Sequence, residues 1–231
     1  MASHSSNQRL TPSTKVIKKG SFVNKQGLKI VTYDIDAPDP KAIAIGFHGY
    51  ASFSENDFFS FPGMYYEGSV TEVMNQCNVS LRLFDMQGFG ESDAYMGRRA
   101  YVANYQDYIE DALQYFEHIR NETDLPIYLC GGSFGGCIAA HTALALGDRC
   151  AGALLASAML SVEENKKQNS HLLPLLTTLD CLIPWMGVGA QEPNMKFPDM
   201  VCNDNRQYQG KLRVRMCVEL LKAVDDIHSH G

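Results

Sequence analysis

The run Gly131-Gly132-Ser133-Phe134-Gly135 has the G-x-S-x-G spacing. That spacing serves nucleophilic catalysis when a sharp strand-to-helix turn lifts the central hydroxyl above a sheet edge, where it can attack a carbonyl carbon. Here it follows the short apolar run Ile127–Cys130 and precedes a helix expected over Phe134–Leu146. So tight a turn strains the serine backbone, and Gly131 and Gly135 are needed because side chains there would strike the adjoining strand or helix. In a chain with 19 Gly the bare pattern is weak, and a plain glycine-rich turn would match it. Its placement between strand and helix is what makes Ser133 the candidate nucleophile.

Acyl transfer also needs donors for the oxyanion, and two backbone N–H groups supply them in this layout. One belongs to the residue after the nucleophile, Phe134. The other comes from the loop after an early strand, here Phe47-His48-Gly49-Tyr50, which points to Tyr50. The helix that begins at the nucleophile adds the favourable end of its dipole. His48 precedes the serine whereas the base of this arrangement follows it, so His48 reads as a structural histidine of the loop. A third glycine-rich stretch, Asp85-Met86-Gln87-Gly88-Phe89-Gly90-Glu91-Ser92, fails as a dinucleotide fingerprint because Asp93 stands where the third glycine belongs. It reads as a turn bordering the site.

Residues of this kind need a parallel sheet to hold them, and the hydrophobic pattern provides one. Val16–Val23 and Leu28–Asp36 flank the turn Asn24–Gly27 as a hairpin. Ala42–Phe47 is almost wholly apolar, as a strand covered on both faces must be. A helix near Tyr66–Gln76, a strand at Val79–Asp85 and a long helix follow. The long helix carries one apolar stripe through Tyr105, Tyr108, Ile109, Ala112, Phe116 and Ile119, with Asn104 as its N-cap. Another buried strand is expected over Ala151–Ala158, and a last amphipathic helix over Arg213–His228. Alternating strands and helices imply helices packed on both faces of a mostly parallel sheet.

The 231 residues, 45% hydrophobic and 20% charged, suit one large domain with an insertion. A loose polar N-terminus is expected over 1–14, the core over 15–160, an insertion over 161–205 and a closing helix over 206–231. A net charge of −6 argues against a nucleic-acid partner. Seven cysteines without zinc-ligand or C-x-x-C spacing imply no metal and no redox pair. The first residues lack a secretory pattern, so reduced thiols and a cytoplasmic location are the simplest expectation. The most apolar window, His171–Ala190, is broken by Pro174, Asp180, Pro184, Gly187 and Gly189, which disqualifies it as a membrane span.

Taken in order, His48-Gly49, Asp85-x-x-Gly88-x-Gly90-x-Ser92 and Gly131-x-Ser133-x-Gly135-Gly136 resemble the α/β-hydrolase fold. Within it they are most similar to the monoacylglycerol lipase/lysophospholipase family, also described as a serine aminopeptidase-like hydrolase domain. Tyr208-Gln209-Gly210-Lys211-Leu212-Arg213 resembles the plant-type members in particular. The resemblance implies a serine ester hydrolase acting on acyl-ester lipids, with Ser133 as nucleophile, Tyr50 and Phe134 as oxyanion donors, and no metal or organic cofactor. It makes residues 161–205 a cap over an acyl pocket, whose run Leu172-Leu173-Pro174-Leu175-Leu176 with Leu182-Ile183-Pro184-Trp185-Met186 suits an acyl tunnel, peripheral membrane contact or ordinary packing.

In this fold the acid and the base sit on two strands after the cap, in the order Ser, Asp, His. The sequence ends at Gly231, before either strand, so the expectation is a truncated core without its last two strands and with acid and base unassigned. Asp204 with His228 or His230 has the right order but no strand before it, and His118 and His141 read as packed or partly exposed helix residues. A chain of this extent is expected to be catalytically incomplete and marginally stable, with strand 151–158 as an open apolar edge. The alternative is a non-catalytic hydrolase-fold module that binds an acyl lipid or a protein.

Overall fold

Ala42–Phe47 forms β3, buried on both faces, and the rest of the structure is arranged about it. The computed structural model describes residues 15–60, 64–163, 167, 173–188 and 204–229. The expected loose segment 1–14 and much of the expected cap lie outside those residues. The sheet runs β1 (Lys18–Val23), β2 (Lys29–Ile35), β4 (Val79–Phe84), β3, β5 (Ile127–Gly132) and β6 (Gly152–Ala156) in spatial order. β3 to β6 are mutually parallel, while the hairpin β1–β2 joins antiparallel at the β4 side. Gly27, at φ 79°, closes the hairpin where the sequence expects its turn.

Alternation along the strands sorts side chains onto two cores. Ile43, Ile45 and Phe47 face α3 (Gln106–Arg120), α4 (Ser133–Leu146) and α6 (Val214–Ser229). Ala44, with Leu81, Leu83 and Cys130, faces Phe58 of α1 (Ser54–Phe58) and α2 (Val70–Gln76). The small residues of β3 lie on this second face for a steric reason: a Cβ on Gly46 would come within 2.4 Å of Leu83 and 2.6 Å of Phe58. Tyr105 stands at the N-cap of α3, one residue later than expected; Asn104 just before it accepts the Gln106 N–H through Oδ1, while Asp107 accepts the Asn104 N–H.

Two further expectations shift. The helix placed near Tyr66 begins at Val70, because Ser60 and Tyr65 pair with one another instead and Ser69 accepts the Glu72 N–H as the cap. The strand expected to be buried at 151–158 is shorter and open: β6 bonds only to β5 among the described residues, and Leu154 is 62% exposed. Its apolar character is that of a sheet edge among the described residues, the open edge that the sequence also led us to expect.

Of the expected insertion, the described part holds α5 (Leu173–Leu182) and the strand β7 (Gly187–Val188), which pairs with β8 (Leu212–Arg213) just before α6. Arg215 of α6 pairs with Asp180 of α5 at 2.8 Å. No helix among the described residues is long and apolar enough to cross a membrane.

Candidate active site

β4 lies on one side of β3 and β5 on the other, so the chain reverses its direction of progress across the sheet at β3. In open parallel sheets the crevice at such a reversal, beyond the carboxyl ends of the strands, is where ligands bind. The loops after β3 and β5 flank it, and they carry the residues singled out in the sequence.

β5 passes into α4 with no intervening residue, and Ser133 is the corner. Its φ of 51° is left-handed, a strained state for a residue with a side chain. Close packing holds it there. A Cβ on Gly135 would stand 2.3 Å from the carbonyl oxygens of both Phe47 and His48, one on Gly131 2.8 Å from the Gly135 backbone, and one on Gly136 2.6 Å from the Ala158 Cβ. Helix, strand and the loop after β3 therefore meet backbone to backbone. The Ser133 carbonyl accepts the Met159 N–H at 2.9 Å, while the side chain is exposed.

The loop after β3 is fixed just as firmly. His48 is fully buried; its Nδ1–H donates to the Gly49 carbonyl at 2.8 Å and its Nε2 accepts the Met86 N–H at 2.9 Å. Both ring nitrogens are thus committed to backbone groups, as a structural histidine of the loop requires. The Gly49 carbonyl also receives the Ser52 N–H at 3.3 Å. In a trans peptide the N–H points opposite to the C=O, so anchoring Gly49 O turns the Tyr50 N–H the other way. Tyr50 N–H has no acceptor among the described residues. Phe134, second in α4, has no intrahelical acceptor for its own N–H either.

The two sides of the crevice touch. A Cβ on Gly49 would lie 3.9 Å from that of Ser133, and the Tyr50 and Phe134 rings meet edge to face at 6.5 Å. Phe89, from the glycine-rich loop after β4, packs edge-on against both His48 and Tyr50 at 5.6 Å. The Tyr50 hydroxyl is buried without a hydrogen-bond partner among the described residues, and burial, more than nearby Tyr208, pushes its pKa up.

The glycine-rich loop has its own centre. Asp85 is fully buried, and its carboxylate accepts the Tyr33 hydroxyl at 3.0 Å and the N–H groups of Ser54 and Glu91, each at 2.9 Å. A Cβ on Gly90, at φ 53°, would fall 2.1 Å from that carboxylate. This stretch borders the site, as its sequence suggests, and binds the loop after β3 to the sheet.

No candidate base reaches Ser133 among the described residues. His118 is exposed and sits 3.5 Å from Glu122; His141 is buried and donates to the Ala223 carbonyl at 2.7 Å. His228 donates to the Leu160 carbonyl at 2.6 Å. Asp204 is held by Arg206 at 2.8 Å, and that bond keeps its carboxyl below the usual range. The Asp204–His228 substitute is thus engaged elsewhere, and His230 lies outside the described residues. Nor is there a metal-binding cluster among the described residues.

Sequence reasoning missed two groups that shape this crevice. Asp57 accepts the Gly49 N–H at 2.5 Å, and Arg206 ion-pairs with Glu55 while its guanidinium lies 4.4 Å above the Phe53 ring. Neither belongs to a spaced motif, so only three-dimensional contact reveals them.

A sequence model of the family described as serine aminopeptidase, S33, matches residues 38–231. Human monoglyceride lipase is 24% identical over 194 residues, which span 81% of this chain and 59% of that protein. The chain thus covers about three fifths of that relative's length. Among solved structures, a soluble variant of monoglyceride lipase from Saccharomyces cerevisiae superposes with a TM-score of 0.75 at 12% identity, over 96% of this chain and 72% of that one. A carboxyl esterase from Bacillus coagulans gives a TM-score of 0.67 at 20% identity, over 93% and 74%. At these identities the likeness is one of fold.

Proposed function

The chain belongs to the serine aminopeptidase S33 family and has the α/β-hydrolase fold, and from that premise we propose that it is a serine hydrolase of carboxylic esters, of the monoacylglycerol lipase or lysophospholipase type. The observation that carries this reading is the exposed Ser133 at φ 51°, beside the peptide N–H groups of Tyr50 and Phe134, which have no acceptor among the described residues. Ester substrates are favoured over peptides because the human relative is named for monoglycerides and the Bacillus neighbour for carboxyl esters.

In this reading Ser133 Oγ attacks the ester carbonyl carbon as its proton passes to a base that none of the described residues supplies. The tetrahedral oxyanion sits against the N–H groups of Tyr50 and Phe134 and the N-terminal end of α4. Collapse expels the alcohol, which takes the proton, and leaves an acyl-serine. Water then adds to the acyl carbon, Ser133 leaves with a proton, and the free acid departs. Residues 161–205 serve as the cap, and the exposed Leu175, Leu182 and Trp185 support contact with an acyl chain or a lipid surface.

In a form of the enzyme in which the acid and base are supplied, Ser133→Ala is expected to abolish turnover of a monoacylglycerol and labelling by a serine-directed phosphonate, a loss of at least about 1,000-fold. Turnover that survives the substitution rules the reading out. Saturable monoacylglycerol binding with neither turnover nor labelling would favour the non-catalytic module.

A further inference from the structure

We propose that Asp57 is a positioning residue for the oxyanion site: its carboxylate holds the Gly49 N–H and the Ser52 hydroxyl, the two ends of the turn whose Gly49–Tyr50 peptide presents the Tyr50 N–H. The inference rests on the ester-hydrolase reading for its purpose, but its geometry stands independently. Asp57 is the fourth residue of α1, eight positions after Gly49, with an exposed side chain. One oxygen, Oδ2, accepts the Gly49 N–H at 2.5 Å. The other, Oδ1, accepts the Ser52 hydroxyl at 2.5 Å and the Asn56 side-chain amide at 3.1 Å. The same amide also donates to Ser52 Oγ at 2.7 Å. Both ends of the Gly49–Ser52 turn are thereby gripped by one carboxylate.

The location gives the grip its consequence. An added Cβ on Gly49 would touch Asp57 Oδ2 at 3.4 Å on one side and the Ser133 Cβ at 3.9 Å on the other. Asp57 and Ser133 thus flank the same glycine. A negative charge so near a developing oxyanion is unfavourable in itself, so a carboxylate here must be offset by what it orders. Gly49 is fixed through its N–H by Asp57 and through its C=O by His48 Nδ1–H and Ser52 N–H. The Asp57 bond fixes the peptide before Gly49 and the His48 and Ser52 bonds fix the one after it, which leaves the Tyr50 N–H as the donor turned toward the crevice. Ala51, at φ 62°, completes the turn, and its carbonyl is held by the Tyr208 N–H. Without Asp57 the turn retains His48 and Tyr208 as anchors but can rock about them. Misplacing an oxyanion donor by about 1 Å can cost about 100-fold in rate.

The test compares wild type, Asp57→Ala and Asp57→Asn in the intact protein, by amide NMR and by ester turnover. Asparagine retains an oxygen that can accept the Gly49 N–H but carries no charge, so it separates geometry from electrostatics. The expected result is that Asp57→Ala displaces the Gly49 and Tyr50 amide resonances and lowers kcat by about 30- to 100-fold, with KM changed less than about twofold. Asp57→Asn is expected to recover most of both. Unmoved Tyr50 resonances, or an unchanged kcat in Asp57→Ala, overturn the proposal. So does a loss confined to KM. If Asp57→Ala fails to fold, Asp57→Asn decides: its Tyr50 resonance and kcat are expected to stay near wild type, and loss of either overturns the proposal. Should Ser133→Ala leave turnover intact, the hydrolase reading fails, while the amide spectra still decide whether Asp57 orders the turn.

Discussion

Asp111 of α3 is buried, its Oδ1 accepting the Asn24 side-chain amide at 2.8 Å and its Oδ2 that of Gln87 at 2.9 Å. Burial pushes its pKa up to about 7; the two amide bonds pull the other way, and Asp107 and Glu110 add to the rise. An unfolded aspartate titrates near about 4, so between those values the native chain holds a proton that the unfolded chain has released. Stability should therefore fall as pH rises from about 4 to about 7 and level off above that. Gln87 Oε1 is buried without a partner, so an amide rotation would let it accept from a protonated Asp111 or from an asparagine. Asp111→Asn is expected to flatten that slope and to stabilise the protein by about 1–2 kcal/mol near pH 8. Urea unfolding across pH measures both, and an unaltered slope would refute the assignment. The residue scale was only partly legible in the sequence. Ser133 announced itself because its glycines are adjacent, whereas Asp111 takes a partner 87 positions away and Asp57 reaches back eight positions to a backbone N–H, and neither relation leaves a residue pattern.

At the scale of elements, the junction of β5 and α4 is the part with least slack. Gly135 lets α4 lie directly on the carbonyls that end β3, and no side-chain rearrangement can make room because the obstructing atoms are backbone. Gly135→Ala is expected to cost about 3 kcal/mol or more, lowering Tm by about 6–12 °C. Gly27→Ala is the control: it meets nothing within 4 Å, carries only the penalty of φ 79°, and should cost about 1 kcal/mol. Calorimetry of the two variants ranks them, and equal shifts would show that conformation rather than contact governs the elbow. Strand and helix placement was well anticipated where periodicity is strong, as in α3 and β3. The open edge at β6 was expected from the resemblance and not from the run itself, because an apolar strand reads as buried whether or not a neighbour covers it. Leu154 shows that difference only in space.

Across the whole molecule, Arg206 ties the segment returning from the expected cap to the loop after β3. It pairs with Asp204 at 2.8 Å and with Glu55, lies 3.8 Å from Glu91, and covers the Phe53 ring. Arg206→Ala is expected to destabilise the fold by about 1–3 kcal/mol and to raise hydrogen exchange in residues 49–58 and 204–208 together. Arg206→Lys should recover little, since a single ammonium cannot meet two carboxylates and a ring at once. Exchange rising in one segment alone would show that the two are not joined. This link was not legible beforehand: the order of strands and the elbow follow from local pattern, but a cross-chain ion pair follows only from where the insertion returns.

Asp85 has a reach that extends beyond its own loop. By binding Tyr33 on β2 and Ser54 at the start of α1 through one carboxylate, it moors the turn bearing Tyr50 to strands on the distant flank of the sheet. Tyr33→Phe, which removes one tie and leaves the carboxylate buried, is therefore expected to let residues 49–54 exchange their amide hydrogens at a lower temperature than in the wild type. Unchanged exchange there would show that the tether to the second strand carries no weight.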